Sequence, residues 1–512
     1  MLKSWSIQNF KAIVDSGELK LAPVTVLAGL NSSGKSSLLQ SILMIAQTLS
    51  NKVIDRPLIT NGTIVQLGTF TDVLSEFSGS HHMVFKFELN YDDMVDGLSL
   101  PTGAIPLSHK VAVSLSSASN NNTNTSAIEA AKVVVDSVSM ETDSKHASSL
   151  SKNELMKRSG DTYGNIHYSF IVRRDPNDKP KGAATFSHLT RRDTSQIGYV
   201  GESILEVEGS KLGVPKQFVV TLIHFLPASF VGTFDEVGEG IGNDTHTRYL
   251  AEVLGQITQF FTSKIRYLGP LRADPGTTQQ TFSPTGELDD VGSKGEYAAM
   301  VYNANQLASI EYYNPFTNQV MHATLQESLD VWTKYLEVAD QVRTEVAGMS
   351  GITWKVTLKQ GQKPRTLPQV GVGVSQVLPI LVMGLLSPKN SFLIIEQPEL
   401  HLHARVQARL GDFFVGLSKC NKQCLIETHS ENLVSQLRLH IVQSGGLANS
   451  DCMIYFVDQD EQGAAKFEEV KISERGNILN WPSGFFDESM HQEDKITAAS
   501  IRRRAKLAKK ND

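Results

Sequence analysis

Apolar and polar positions divide this chain into recognisable segments. Short apolar runs predict buried strands at residues 24–28 (Val24-Thr25-Val26-Leu27-Ala28) and 391–396, the second ending in acids as a parallel strand covered on both faces does. Residues 423–427 and 452–457 read as further strands. Alternation predicts half-buried strands at 4–10, 83–89, 167–172, 353–358 and 467–472, and Val133-Val134-Val135 is another strand-like piece. Helical patterning marks residues 37–44, 245–263, 377–386 and 405–414. It also marks 321–347, where Leu325, Leu329, Trp332, Leu336 and Val342 recur at roughly helical spacing. Strands interleaved with helices predict an α/β fold.

The first strand–helix junction carries Gly29-Leu30-Asn31-Ser32-Ser33-Gly34-Lys35-Ser36-Ser37, which fits the phosphate-binding loop G-x-x-x-x-G-K-[ST]. Gly29 and Gly34 let the backbone turn so that successive N–H groups point at a phosphate. Lys35 is placed to reach the β- and γ-phosphates of ATP, and Ser36 to ligate Mg²⁺. The strand before and the helix after supply the context that the motif requires, including a helix N-terminus for the anion. Gln66 is a candidate sensor of the γ-phosphate or the metal; a surface glutamine is the alternative. Gly371-Val372-Gly373-Val374-Ser375-Gln376, opening a helix, is a second place to hold a phosphate. Glu396 ends its strand where ligands bind in such sheets and is placed to hold Mg²⁺ through water. His429, just past the 423–427 strand, is a nucleotide-sensing candidate. Arg272, after Tyr267-Leu268-Gly269-Pro270-Leu271, is either an exposed arginine or a phosphate sensor, and Lys11 either solvated or near the nucleotide.

Composition narrows the field. The chain has 512 residues, 40% hydrophobic and 20% charged, with a net charge of −6. This is ordinary for a globular protein of several domains and gives no global basic field for nucleic acid. Cys420, Cys424 and Cys452 do not complete a zinc site and read as reduced thiols of a cytoplasmic protein. No signal peptide or membrane-spanning run is evident. The Ser/Asn/Thr run from 114 to 126 has little to bury and reads as a mobile loop. The basic end, with Arg502, Arg503, Arg504, Lys506, Lys509 and Lys510, reads as a solvated helix or a docking site for an acidic partner.

Taken together, the phosphate loop, Gln66, the 371–376 turn, Glu396 and His429 resemble, in their order, the ABC-type ATPases related to RecF, SMC and the overcoming-lysogenization-defect proteins. Glu396-Gln397-Pro398-Glu399-Leu400-His401-Leu402-His403 and Trp481-Pro482-Ser483-Gly484-Phe485-Phe486-Asp487 resemble more closely a bacterial group of such ATPases with a C-terminal domain of unknown function. The ATPase subunit of the Septu anti-phage system, including retron-associated versions, looks similar. The resemblance implies an ABC-type ATPase head with a mixed or parallel sheet flanked by helices. The head is divided between residues 1–95 and 351–460, with a mostly β insertion at 96–230, a helical insert at 231–350 and an extension at 461–512. It implies ATP and Mg²⁺ as cofactors, with Gly34 and Lys35 on phosphates, Ser36 and Glu396 on the metal, Ser375 of a second copy capping the γ-phosphate and His429 sensing it. The implied partners are further copies of the chain, a separate HNH-type nuclease, and nucleic acid or a retron ribonucleoprotein, without a membrane. The chain departs from the family at Gln397, where most ABC ATPases carry the water-activating glutamate. Gln orients water but takes no proton, so slow hydrolysis or a held-ATP switch is expected, with Glu399 or His429 as compensating groups. Competing readings are a self-contained nuclease, for which Asp458-Gln459-Asp460 is the candidate acid pair, and a DNA-repair or structural ATPase.

Overall fold

The computed structural model describes residues 1–51, 58–80, 82–90, 255–274, 289–346, 351–443 and 446–486 with their side chains, and between 105 and 233 the strands by their backbone pairing. The centre of the Ser/Asn/Thr run and the basic end lie outside the described residues.

A six-stranded sheet carries the head. Its order is Ile265–Leu268, Phe392–Glu396, Gln423–Glu427, Val24–Gly29, Cys452–Gln459 and Ala465–Glu469. All neighbours are parallel except the last pair. Phe392–Glu396 and Gln423–Glu427 are buried at every position, as their unbroken apolar runs require of strands covered on both faces.

Successive side chains of a strand face opposite ways, and here they feed two cores. Leu27, Ile394 and Leu425 join the core shared with the helix Lys35–Ser50 and the strand Leu2–Phe10. Val26, Ile395 and Ile426 join a second core built by Ala298–Asn305, Leu325–Tyr335, Val372–Leu386, Ala404–Lys419 and Glu431–Val442. In the first core Trp5 lies against Phe85, Phe87 and Phe261, and its indole N–H donates to Ser41 at 2.9 Å. Leu2–Phe10 belongs to an antiparallel sheet. That sheet runs through His82–Asn90, Ile105–Ser117, Ile128–Met140, Tyr163–Arg173, Lys181–Thr190 and Asp193–Val200 to Leu205–Glu208.

Several expected elements differ. The helix expected over 321–347 covers only Leu325–Tyr335. Thr324 and Glu327 close a reciprocal cap at its start, and Glu337, at φ +58°, turns the chain away just beyond its end. Val342, assigned by spacing to that helix, is buried in the strand Gln341–Val346 instead. Among the described residues, the 231–350 region holds strands as well as helices. It gives Ile265–Leu268 to the head sheet, pairs Ser309–Asn314 with Gln319–Thr324, and supplies Gln341–Val346 to a hairpin with Ile352–Thr357. The described part of 245–263 ends in a π-helical turn, Phe260–Lys264. The helix expected from 377 begins at Val372, with Gly371 as its N-cap, so Ser375 and Gln376 lie inside it. Around Gln66 there is a single bridge, Asn61 to Gln66, in place of a strand.

Candidate functional site

At the end of Val24–Gly29 the chain makes a turn that only glycine fits. Gly29 sits at φ +148°, and a Cβ there would lie 2.1 Å from the Val457 carbonyl oxygen. Gly34 sits at φ +102°, with a Cβ position 2.5 Å from that of Ala465. The helix Lys35–Ser50 follows with no side-chain cap and no acid in its first turn. Its leading N–H groups and the positive end of its dipole thus face the loop with no acid of the helix's own in the first turn. Lys35 lies folded across the loop, its Nζ donating to the carbonyls of Gly29 at 3.1 Å and Leu30 at 2.6 Å. Burial lowers its pKa, against the opposing pull of Glu427 and Glu399. Ser33 Oγ is buried with no partner among the described residues. Asn31 and Ser32 form the exposed rim, with Ser32 left-handed at φ +63°; Ser36 and Ser37 stand half-buried at the helix start.

The acids come from the two neighbouring strands. Glu396 and Glu427 are paired in register, and Glu427 is in turn paired with Leu27 of the loop strand. Ser36 Oγ lies 3.1 and 3.3 Å from the two carboxylate oxygens of Glu427 and donates to them. Glu396 accepts from Tyr267 Oη at 2.6 Å, and its backbone carbonyl accepts from Arg272 Nη2 at 3.1 Å. Burial raises both acids. Glu427 is pushed up to about 7, the charge of Glu396 adding to the burial. A glycine-turned loop at a strand end, a helix start behind it and acids on the neighbouring strand ends have the layout of a P-loop site.

Arg272 is not the exposed arginine that the sequence allowed. It is 8% exposed, its Nε and Nη1 have no partner among the described residues, and burial lowers its pKa to about 10. Glu399 accepts from the His429 backbone N–H at 2.6 Å and from Thr428 Oγ1 at 2.7 Å, so its carboxylate ties the turn after Glu396 to the loop that carries His429. The His429 ring is exposed at its rim; partial burial and the Lys35 charge lower its pKa, favouring the neutral form. Gln397, at φ +43°, is half-buried and donates its backbone N–H to the Glu427 carbonyl at 2.7 Å.

Ser375 and Gln66 stand apart from this cluster. Ser375 is buried in the first turn of its helix and donates to the Val372 carbonyl at 2.6 Å. A Cβ on Gly373 would lie 3.2 Å from Leu402, so this turn packs on the segment following Glu396. Gln66 is exposed. Glu427 is the site residue that sequence reasoning missed. The available signal was an acid ending an apolar strand two positions before His429.

The oxygen-rich donor set suits a hard cation. Among the described residues no three His, Cys, Asp or Glu side chains converge on one point. For such a cation the protein would offer two carboxylates and a hydroxyl, with phosphate and water as further ligands, the manner in which Mg²⁺ is commonly held. Beside the loop lies a cavity of about 390 Å³, lined on one side by Gly29, Leu30 and His429 and on another by Phe456, Gly484, Phe485 and Phe486. Phe485 is fixed there by ring contacts with Phe456, Trp481 and Phe486. The head thus has a C-terminal aromatic wall next to its phosphate loop.

Residues 335–435 match the family model described as "AAA domain, putative AbiEii toxin, Type IV TA system". Residues 447–496 match "Protein of unknown function (DUF3696)". A search of the curated proteins finds no match. Similar solved structures include an SmcHead bound to the C-winged helix domain of ScpA (11% identity, TM-score 0.41, covering 92% of this chain and 98% of that one). They also include the SMC head domain from Thermotoga maritima (12%, TM-score 0.33, 92% and 99%). A third is an Smc head domain with an extended coiled coil, bound to the C-terminal domain of ScpA derived from Pyrococcus furiosus (10%, TM-score 0.40, 97% and 99%). Among the described residues no helix is long and apolar enough to cross a membrane.

Proposed function

We propose that this chain is a magnesium-dependent, slowly hydrolysing ABC-type ATPase that assembles with further copies of itself and controls a partner nuclease in anti-phage defence. The observation that carries the nucleotide part is the cradle of Gly29, Gly34 and Lys35 facing Ser36 and the Glu427–Glu396 pair. Upon ATP binding, Lys35 leaves the loop carbonyls for the β- and γ-phosphates, and the open N–H groups of the helix start take the phosphate oxygens. Bound Mg²⁺ would neutralise phosphate charge there, held by Ser36 and the two acids. His429, neutral and beside Lys35, reads the γ-phosphate. Ser375 of a neighbouring copy caps it by giving up its bond to the Val372 carbonyl.

Slow turnover follows from Gln397, whose amide orients water without removing its proton. The defence role is supported by the likeness of residues 396–403 and 481–487 to the Septu-type ATPases, whose partner is a separate HNH-type nuclease. The self-contained nuclease reading has less support: Asp460 Oδ1 accepts the backbone N–H groups of Gln462 and Ala464, which makes this acid part of a hairpin turn. The test is phosphate release by the full chain, wild type against Gln397→Glu. Slow wild-type turnover that the variant speeds about tenfold or more is expected. Fast turnover that Gln397→Glu leaves unchanged would remove the slow-switch reading.

A further inference from the structure

Glu396 ends the strand that the sequence marks as metal-bearing, yet it is not the acid nearest the metal-ligating serine. Gln423–Glu427 lies between the loop strand and Phe392–Glu396, so Glu396 stands one strand further out, about 4.8 Å in the pairing direction. Ser36 Oγ meets Glu427, at 3.1 and 3.3 Å. Glu396 is held from the far side, its carboxylate by Tyr267 at 2.6 Å and its backbone by Arg272. These two partners hold Glu396 in place, and its carboxyl also hydrogen-bonds Glu427; of the two acids it is Glu427 that bonds the hydroxyl suited to ligate a metal.

We propose that Glu427 is the principal carboxylate facing the Mg²⁺ of a bound nucleotide, and that Glu396 acts behind it as a positioning residue. This rests on the nucleotide-binding reading above and replaces Glu396 as the leading acid within it. The bland alternative is that Glu427 only anchors Ser36. An amide oxygen would accept that hydroxyl equally well, so a purely structural Glu427 would tolerate Gln. A metal-facing one would not, because the neutral amide forfeits the charge that favours the cation.

The test is calorimetric titration of ATP into the full chain, in Mg²⁺ and in EDTA, for wild type, Glu427→Gln, Glu427→Asp and Glu396→Gln. Wild type is expected to bind ATP about 10-fold more tightly with Mg²⁺, an advantage that Glu427→Gln cuts below about threefold and Glu396→Gln largely keeps. Glu427→Asp, which keeps the charge, should retain a reduced advantage and covers the case in which the Gln variant does not fold. If Glu427→Gln keeps the full Mg²⁺ advantage while Glu396→Gln loses it, the assignment is overturned and the nucleotide reading survives. If wild type binds no ATP in either buffer, both fall together.

Discussion

Asp412 and Glu427 are both buried acids, 5% and 3% exposed, on elements of the same core. Asp412 sits in the helix Ala404–Lys419 and gathers Tyr335 Oη at 2.7 Å, Gln436 Nε2 at 2.7 Å and His440 Nε2 at 2.6 Å. Those partners come from two other helices, so the acid ties three helices together. Glu427 has one hydroxyl, Ser36, and beside it another buried acid. A buried carboxylate with a full set of donors is a structural tie. One that shares its place with a second carboxylate, in a chain that also buries a Ser33 hydroxyl and Arg272 nitrogens without partners among the described residues, marks a candidate site for a charged ligand.

The sharpest way to break this comparison is to remove the tie. Asp412→Ala strands three polar partners in the core and should cost about 3–5 kcal/mol in chemical denaturation. ATP affinity of the folded fraction should hold. Loss of nucleotide binding without loss of stability would reverse the roles assigned to the two acids.

The second contrast is with pH. The folded state holds the Glu427 proton more tightly than the unfolded chain, with a pKa raised from 4.5 to about 7 by burial and then by Glu396. The folded protein therefore carries the extra proton between those values, and the stability this contributes is present below about pH 4.5 and lost as pH rises through 7. Relative to wild type, metal-free Glu427→Gln should be level at low pH and more stable by on the order of 3 kcal/mol at pH 8. Equal stability across the range would mean that Glu427 is as well satisfied as Asp412. A smaller effect is expected from Tyr267→Phe, which takes the phenolic donor from Glu396. It should cost about 1 kcal/mol, more at pH 8 than at pH 5, because the ionised acid needs the donor most. A cost independent of pH would place the loss in packing alone.

Much of the head was legible along the chain. The phosphate loop, the apolar strands and the acid at 396 are local patterns, each set by a few adjacent residues. Glu427 was not legible as a site residue because its importance lies in topology: Ser36 and Glu427 are 391 positions apart, and strand order decides that they meet. Arg272 stayed open between two readings for a related reason, since Gly269-Pro270 indicates where a strand stops but not which strand end covers the next residue. The 321–347 helix failed because apolar spacing continued through Val342 while Thr324 and Glu337 set the true ends. Caps and left-handed residues carried more information there than periodicity.

On the proposed reading, the acid cluster and the loop beside it form one site for Mg-ATP. This is tested most directly by titrating ATP, in Mg²⁺, into the wild-type full chain and into Lys35→Ala, with folding of each checked by circular dichroism. One ATP per wild-type chain is expected, with affinity weakened by about 10–100-fold in the variant, the equivalent of losing hydrogen bonds to a charged group. Wild-type binding that Lys35→Ala leaves unchanged, or no binding by a folded wild type, would contradict it.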